Sequence, residues 1–145
     1  MTVPGLFKYR DLASADARPA LSFNLPELQY PERMNAVQTV FEGAKDAGWQ
    51  DRTVFIADDK RYTFADAECL VHRSMAALLA IGVAPGDTVI LRIPDTIDLV
   101  TTLLAVQAIG AIAMPTYIQL RADDLVYRAE DTDAKFLIST PDLLD

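Results

Sequence analysis

Residues 88–139 read TVILRIPDTIDLVTTLLAVQAIGAIAMPTYIQLRADDLVYRAEDTDAKFLIS, and short apolar runs recur in them at even spacing. The first, Thr88 to Ile93, has strand length and ends at Pro94. Asp95 can cap a helix from Thr96 to Ile109, apolar on nearly every side, which predicts burial on more than one face. Gly110 stops that helix, and Ala111 to Pro115 is a second strand. A helix from Ala122 to about Asp131 leads to a third strand, Lys135 to Ser139. Strands alternating with helices are βαβ units, which imply a parallel sheet with right-handed crossovers and helices on both faces.

Upstream, the pattern changes. Thr53 to Ala57 is β-rich, Asp58-Asp59-Lys60 is a turn, and Arg61-Tyr62-Thr63 begins the return, which reads as a hairpin. Thr63 is then an N-cap with Asp66 three residues on, opening a helix from Phe64 to Ile81. Ala67, Leu70, Val71, Met75, Leu78 and Leu79 are its expected buried stripe. Gly82 ends it, and Pro85-Gly86-Asp87 turns the chain. Asn35 is placed to cap a helix from Ala36 to about Ala47, with Val37, Val40, Phe41 and Ala44 on one face and Gly48 at its end. Pro4, Pro19, Pro26 and Pro31 make residues 1–34 an extended, irregular arm. Residues 35–145 are then the first part of an α/β domain.

Composition narrows the classes. A net charge of −8 over 145 residues leaves no electrostatic footprint for nucleic acid and no polybasic run for an anionic membrane. The most apolar stretch, Leu99 to Pro115, is too short and too interrupted to span a bilayer. Met1 to Arg10 has no signal-peptide run behind its charges, so a cytoplasmic protein is expected. A single cysteine, Cys69, permits no internal disulfide and is expected as a small core residue.

The stretch Arg61 to Ser139 resembles the opening of the adenylate-forming superfamily: acyl- and aryl-CoA synthetases, peptide-synthetase adenylation domains and luciferases. The matching features come in order: YTF at a helix start, the GVAPGD turn, an apolar strand ending in Pro94, AVQAIGAIAMP, a short acidic helix, and AKFLIS. The segment FNLPELQYPERMNAVQTVFE resembles the entry of aryl-CoA ligases for benzoate-like or aminobenzoate-like acids. The resemblance implies an ATP-dependent carboxylate–CoA ligase. A carboxylate attacks the α-phosphate of ATP, and a thiol, usually coenzyme A, then displaces AMP. It also implies Mg²⁺ and a Ser/Thr/Gly-rich phosphate loop ending in lysine. The glycines here (5, 43, 48, 82, 86 and 110) are isolated. No catalytic residue and no metal ligand is therefore expected in this chain, nor any cofactor bound to it. Thr140-Pro141 reads as the cap and first position of a further helix. The reading is an N-terminal fragment, inactive alone and prone to self-association through apolar surface that the remainder would cover.

Ligands of open α/β sheets collect at the carboxyl ends of the strands, which directs attention to Asp95, Tyr117, Gln119 and Arg121 as rim candidates. Each also has a plain structural reading: a helix cap for Asp95, loop packing for Tyr117 and Gln119, and a surface pair with Asp123 or Asp124 for Arg121. Many relatives have Pro-Asn at Pro94-Asp95 and Asn-Pro-Arg at Tyr117-Ile118-Gln119, so a charge some of them place there is missing. His72, just off the buried stripe of its helix, reads as structural, the acidic residues Asp123, Asp124, Glu130, Asp131 and Asp133 as a solvated face, and Trp49 as cover for the helix–hairpin junction. A rival exists in TVFIADD, which resembles the first strand of a response-regulator receiver, with Asp95 as phospho-acceptor and Thr116 as switch. Lys135 then lies at the wrong end of its strand to neutralise an acyl phosphate.

Overall fold

The computed structural model describes residues 14, 17, 19, 22–31 and 33–144, and the chain divides into two units, Met1–Met34 and Asn35–Asp145. In the first unit, a 3₁₀ turn at Pro26–Leu28 is followed by Gln29, whose side-chain amide donates to the Phe23 carbonyl at 2.9 Å. The absence of a signal-peptide run at residues 1–10, and most of the extended arm, fall outside the described residues.

In the second unit, helix α1 (Ala36–Asp46) is opened by Asn35. The Asn35 Oδ1 accepts the Gln38 N–H at 3.1 Å, and its Nδ2 donates to the Ala108 carbonyl at 2.8 Å, so one side chain satisfies an orphan donor and an orphan acceptor of two helices. Strands β1 (Thr53–Ala57) and β2 (Lys60–Thr63) pair antiparallel around a two-residue loop, Asp58-Asp59, so Lys60 belongs to the strand and not to the turn. This hairpin is a separate sheet. Helix α2 (Phe64–Ala80) starts at the expected capping box: the Thr63 hydroxyl accepts the Asp66 N–H, and the Asp66 carboxylate accepts the Thr63 N–H.

The parallel sheet holds β3 (Thr88–Arg92), β4 (Ile112–Pro115) and β5 (Phe136–Ser139) in the order β4-β3-β5. Between them run α3 (Ile97–Ile109) and α4 (Ala122–Thr132). The chain steps from β3 to β4 on one side, then returns past β3 to β5. With right-handed crossovers, those opposite steps put α3 and α4 on opposite faces. Strand alternation agrees. Val89, Leu91, Ala113, Phe136 and Ile138 belong to the core shared with α1, α2 and α3. Met114, Ile90 and Leu137 form a cross-strand row facing the other way, where the Thr132 hydroxyl of α4 stands 3.8 Å from the Met114 sulfur.

Helix α3 packs on α1, α2 and both β3 and β4, as an all-round apolar helix must. Gly110 ends it with φ of 84°, a left-handed conformation that glycine adopts without a Cβ penalty, and its carbonyl accepts the Gly86 N–H at 2.9 Å.

Several expectations fail at the level of faces. Cys69 is exposed, because on α2 it lies two residues, or about 200° of helix, from both buried Ala67 and buried Val71. Leu79 and Val40 are exposed too, being at the flanks of stripes whose centres are Leu78 and Phe41. The cap of α3 is Thr96 and not Asp95, whose side chain is exposed and caps nothing. Thr140 and Pro141 take the cap and first positions expected of them, but of a 3₁₀ turn, Pro141–Leu143, and the Thr140 hydroxyl is buried without a partner among the described residues. Trp49 is half-exposed, with the Arg52 guanidinium 4.6 Å above its ring.

Candidate functional site

The carboxyl edge of the parallel sheet is stitched by side chains onto main-chain carbonyls. Thr116, just after β4, donates its N–H and its hydroxyl to the Leu91 carbonyl at 2.9 and 3.3 Å. Ser139, the last residue of β5, donates its hydroxyl to the Arg92 carbonyl at 3.1 Å. The ends of both flanking strands are thereby fixed to the central one.

Arg92 holds the turns beyond them. It is the last residue of β3, half-buried, on the same sheet face as Ile90. Its Nε donates to the Ile118 carbonyl at 3.2 Å, and its Nη2 donates to Ile118 at 2.8 Å and to Leu120 at 3.1 Å. Its Nη1 donates to the Leu143 carbonyl, in the turn after β5. Four of the five N–H groups of this guanidinium are committed to three neutral carbonyls, and no carboxylate pairs with it among the described residues. The Thr96 N–H closes a tight turn on the Pro94 carbonyl at 2.7 Å, which carries the chain from β3 into α3.

The expected rim residues divide between two segments of this edge. Tyr117 and Gln119 stand outward on the β4–α4 loop, Tyr117 being 79% exposed, while Ile118 and Leu120 between and beside them are half-buried. Arg121 is exposed at the start of α4 and makes no ion pair with Asp123 or Asp124. Instead the Asp124 carboxylate accepts the Arg121 backbone N–H at 3.3 Å, closing the helix start at no cost in side-chain entropy to the arginine. Asp95 sits in the turn after β3, and no hydrogen bond joins it to the loop residues. Arg92 went unnoticed in the sequence. Its signal was a lone charge inside VILRIP, an otherwise apolar strand.

Elsewhere, a shallow open depression of about 510 Å³ on α2 is lined by Lys45, Glu68, Cys69, His72 and Arg73, with Lys45 paired to Glu68 at 2.6 Å. Among the described residues, no group of three or more His, Cys, Asp or Glu side chains stands close enough to hold a metal ion. Asp58 and Asp59 lie at the tip of an antiparallel hairpin and not at the carboxyl end of a parallel strand. A receiver fold requires the latter, so that rival is set aside.

The fold defines the class: an open α/β domain, a class in which ligands collect at the carboxyl ends of the strands, here those of β3, β4 and β5. The sequence profile of the AMP-binding enzyme family matches residues 43–144, and the chain belongs to that family. The chain is 33% identical over 111 residues to the p-hydroxybenzoic acid–AMP ligase FadD22 of Mycobacterium marinum, covering 77% of this chain and 16% of that protein. It is 30% identical over 120 residues to the benzoate–CoA ligase of Thauera aromatica, covering 82% of this chain and 23% of that one. Among solved structures, the anthranilate CoA ligase AuaEII in complex with anthranoyl-AMP superposes with a TM-score of 0.71 at 26% identity, over 79% of this chain and 22% of that one. The chain thus spans less than a quarter of the length of these relatives.

Proposed function

We propose that this chain is the N-terminal part of an ATP-dependent carboxylate–CoA ligase that acts on an aromatic acid. The observation that carries the reading is the family match from the end of α1 through β5, the whole length of the βαβ framework. The aromatic preference rests on relatives named for hydroxybenzoate, benzoate and anthranilate. Medium/long-chain fatty acids, named for another relative 32% identical over 117 residues, are the second substrate class to test.

The residues described here do not fit ATP, Mg²⁺ or coenzyme A by themselves. Gly43 lies inside α1, and Gly48, Gly82, Gly86 and Gly110 each serve a helix end or a turn. None is part of a run whose amides could cradle phosphates. The adenylation chemistry belongs to chain outside residues 35–144, and this framework supplies the sheet edge against which it works. Leu137, the exposed member of the outer row, packs against that further chain, and without it mediates self-association. A cytoplasmic location suits these substrates; no helix among the described residues is long and apolar enough to cross a membrane.

The test is acid-dependent exchange of pyrophosphate into ATP, with benzoate, aminobenzoates, hydroxybenzoates and fatty acids. A polypeptide carrying this chain and extended to the length of its relatives should exchange with an aromatic acid, and the 145-residue chain should not. Exchange with none of these acids by the extended polypeptide refutes the ligase reading. Exchange by the short chain refutes the division of labour.

A further inference from the structure

A guanidinium that ends an apolar strand and meets only carbonyl oxygens is an expensive choice. It is half-buried with no counter-charge among the described residues, and desolvating an unpaired cation is unfavourable until hydrogen bonds offset it. If the position only closed the sheet, an apolar side chain would continue the row begun by Ile90 at lower cost. What Arg92 does that no apolar residue can do is hold two separate turns at once, since β4 and β5 flank β3 and their turns meet at its planar fork. Its bonds go to backbone oxygens, so they set the path of the loop and leave the side chains of Tyr117 and Gln119 free. Holding the carbonyls of Ile118 and Leu120, two residues apart, keeps Ile118 and Leu120 half-buried and turns Tyr117, Gln119 and Arg121 outward.

We propose that Arg92 is a positioning residue: it locks the β4–α4 loop and the turn after β5 into one rigid rim, and so places Tyr117 and Gln119 against the organic acid or its acyl-adenylate. The second half of this inference rests on the ligase reading; the first does not. Lysine keeps the charge but offers donors from a single point, so it cannot span carbonyls that the fork reaches from three nitrogens. Glutamine keeps a donor and loses the charge.

Amide hydrogen exchange on the 145-residue chain reads the lock directly. The N–H groups of Leu120, Leu143 and Leu144 bond within these turns, to Tyr117, Thr140 and Pro141. In Arg92→Gln they should exchange about tenfold faster or more, in Arg92→Lys by an intermediate factor, with α2 amides unchanged. Turn amides that keep wild-type protection in Arg92→Gln overturn the lock. Should Arg92→Gln lose protection in α2 as well, Arg92→Lys decides alone, and unchanged turn amides there overturn it equally. In the extended polypeptide, Arg92→Lys should raise KM for the acid about fivefold while kcat stays within about twofold, the pattern of lost binding geometry with chemistry intact. Faster turn exchange with unaltered KM refutes the placing role. Absence of adenylation in the wild-type polypeptide refutes the ligase reading and leaves the exchange result to judge the lock.

Discussion

Lys135 Nζ lies 2.6 Å from Asp87 Oδ1, joining the residue ahead of β5 to the residue ahead of β3 across the amino end of the parallel sheet. The second oxygen of Asp87 accepts the Ala84 N–H at 2.9 Å, which shapes the turn between α2 and β3. These two donors, Lys135 first, hold the Asp87 carboxyl below its ordinary value against the opposing effect of burial. The folded state therefore prefers the ionised form. That preference stabilises the fold fully above the unfolded carboxylate value of about 3.9 and is lost as the pH falls through the lowered one. Lys135 is 68% exposed, so solvent screens the pair and its worth is at most about 1 kcal/mol. Urea unfolding should find wild type more stable than Asp87→Asn by a constant margin from pH 5 to 8, shrinking to nothing in acid. Asp87→Ala, which also strands the Ala84 N–H, should cost more than Asp87→Asn at neutral pH. A margin that widens on acidification contradicts this account.

The box at the start of α2 gives a second test. Thr63 Oγ1 accepts the Asp66 N–H at 3.1 Å, and the Asp66 carboxyl is lowered by the Thr63 N–H, which donates to it at 2.9 Å, and then by the Thr63 hydroxyl, which donates to it at 2.8 Å. Thr63→Ala should cost about 1 kcal/mol in thermal or urea unfolding, and Thr63→Ser almost nothing, because serine restores the acceptor. Equal losses in both would place the effect in the threonine methyl instead.

The hairpin tip carries strain that can be relieved. Asp58 and Asp59 have φ of 49° and 62°, both in the left-handed region, in a two-residue loop that favours Asn-Gly. Replacing the pair by Asn-Gly removes a steric penalty and two adjacent like charges, and should raise stability by about 1 kcal/mol. A calorimetric midpoint that does not rise would mean the loop geometry is held by contacts outside the turn.

These devices differ in how plainly the sequence displays them. Caps and turns are local: the bond between Asn35 and Gln38, Thr63 with Asp66, and the stop at Gly110 are legible because residue type and offset contain them, whereas the Asn35 bond to Ala108 spans 73 residues and is not. Strand direction was legible at 88–139 because helices of crossover length separate the apolar runs. Faces were harder to read. Leu79 and Val40 fit the helical period as well as their neighbours do, yet both stay exposed, because the period fixes a stripe and the packing of other elements fixes its width. Asp95 and Thr96 are both good caps by type, and the tight turn on Pro94 selects the second. The clamp was the least visible feature. Arg92 bonds residues 26, 28 and 51 positions away through main-chain oxygens, which every residue has and no pattern of side chains reveals.

The two faces of the sheet yield the sharpest contrast. Leu91 is fully buried on the inner face, flanked by Pro115 and Ile138, whereas Leu137 is 46% exposed on the outer face beside Ile90. Truncating Leu91 to alanine leaves a cavity among α3, β4 and β5 and should cost about 3 kcal/mol. Leu137→Lys removes little packing, because half of the side chain already meets water and an edge strand tolerates lysine; its effect on stability should stay within about 0.5 kcal/mol. Its effect on association should be large. Leu137 on the outer face and the open edges of β4 and β5 offer apolar surface and unpaired backbone to a second copy, and a charge at Leu137 opposes both. Light scattering across a concentration series should show the wild-type chain growing in mass and the Leu137→Lys chain remaining nearer to monomer. If the wild-type chain is monomeric at every concentration, its outer face is already sufficiently covered by α4, and the proposed packing of further chain against it fails with the self-association.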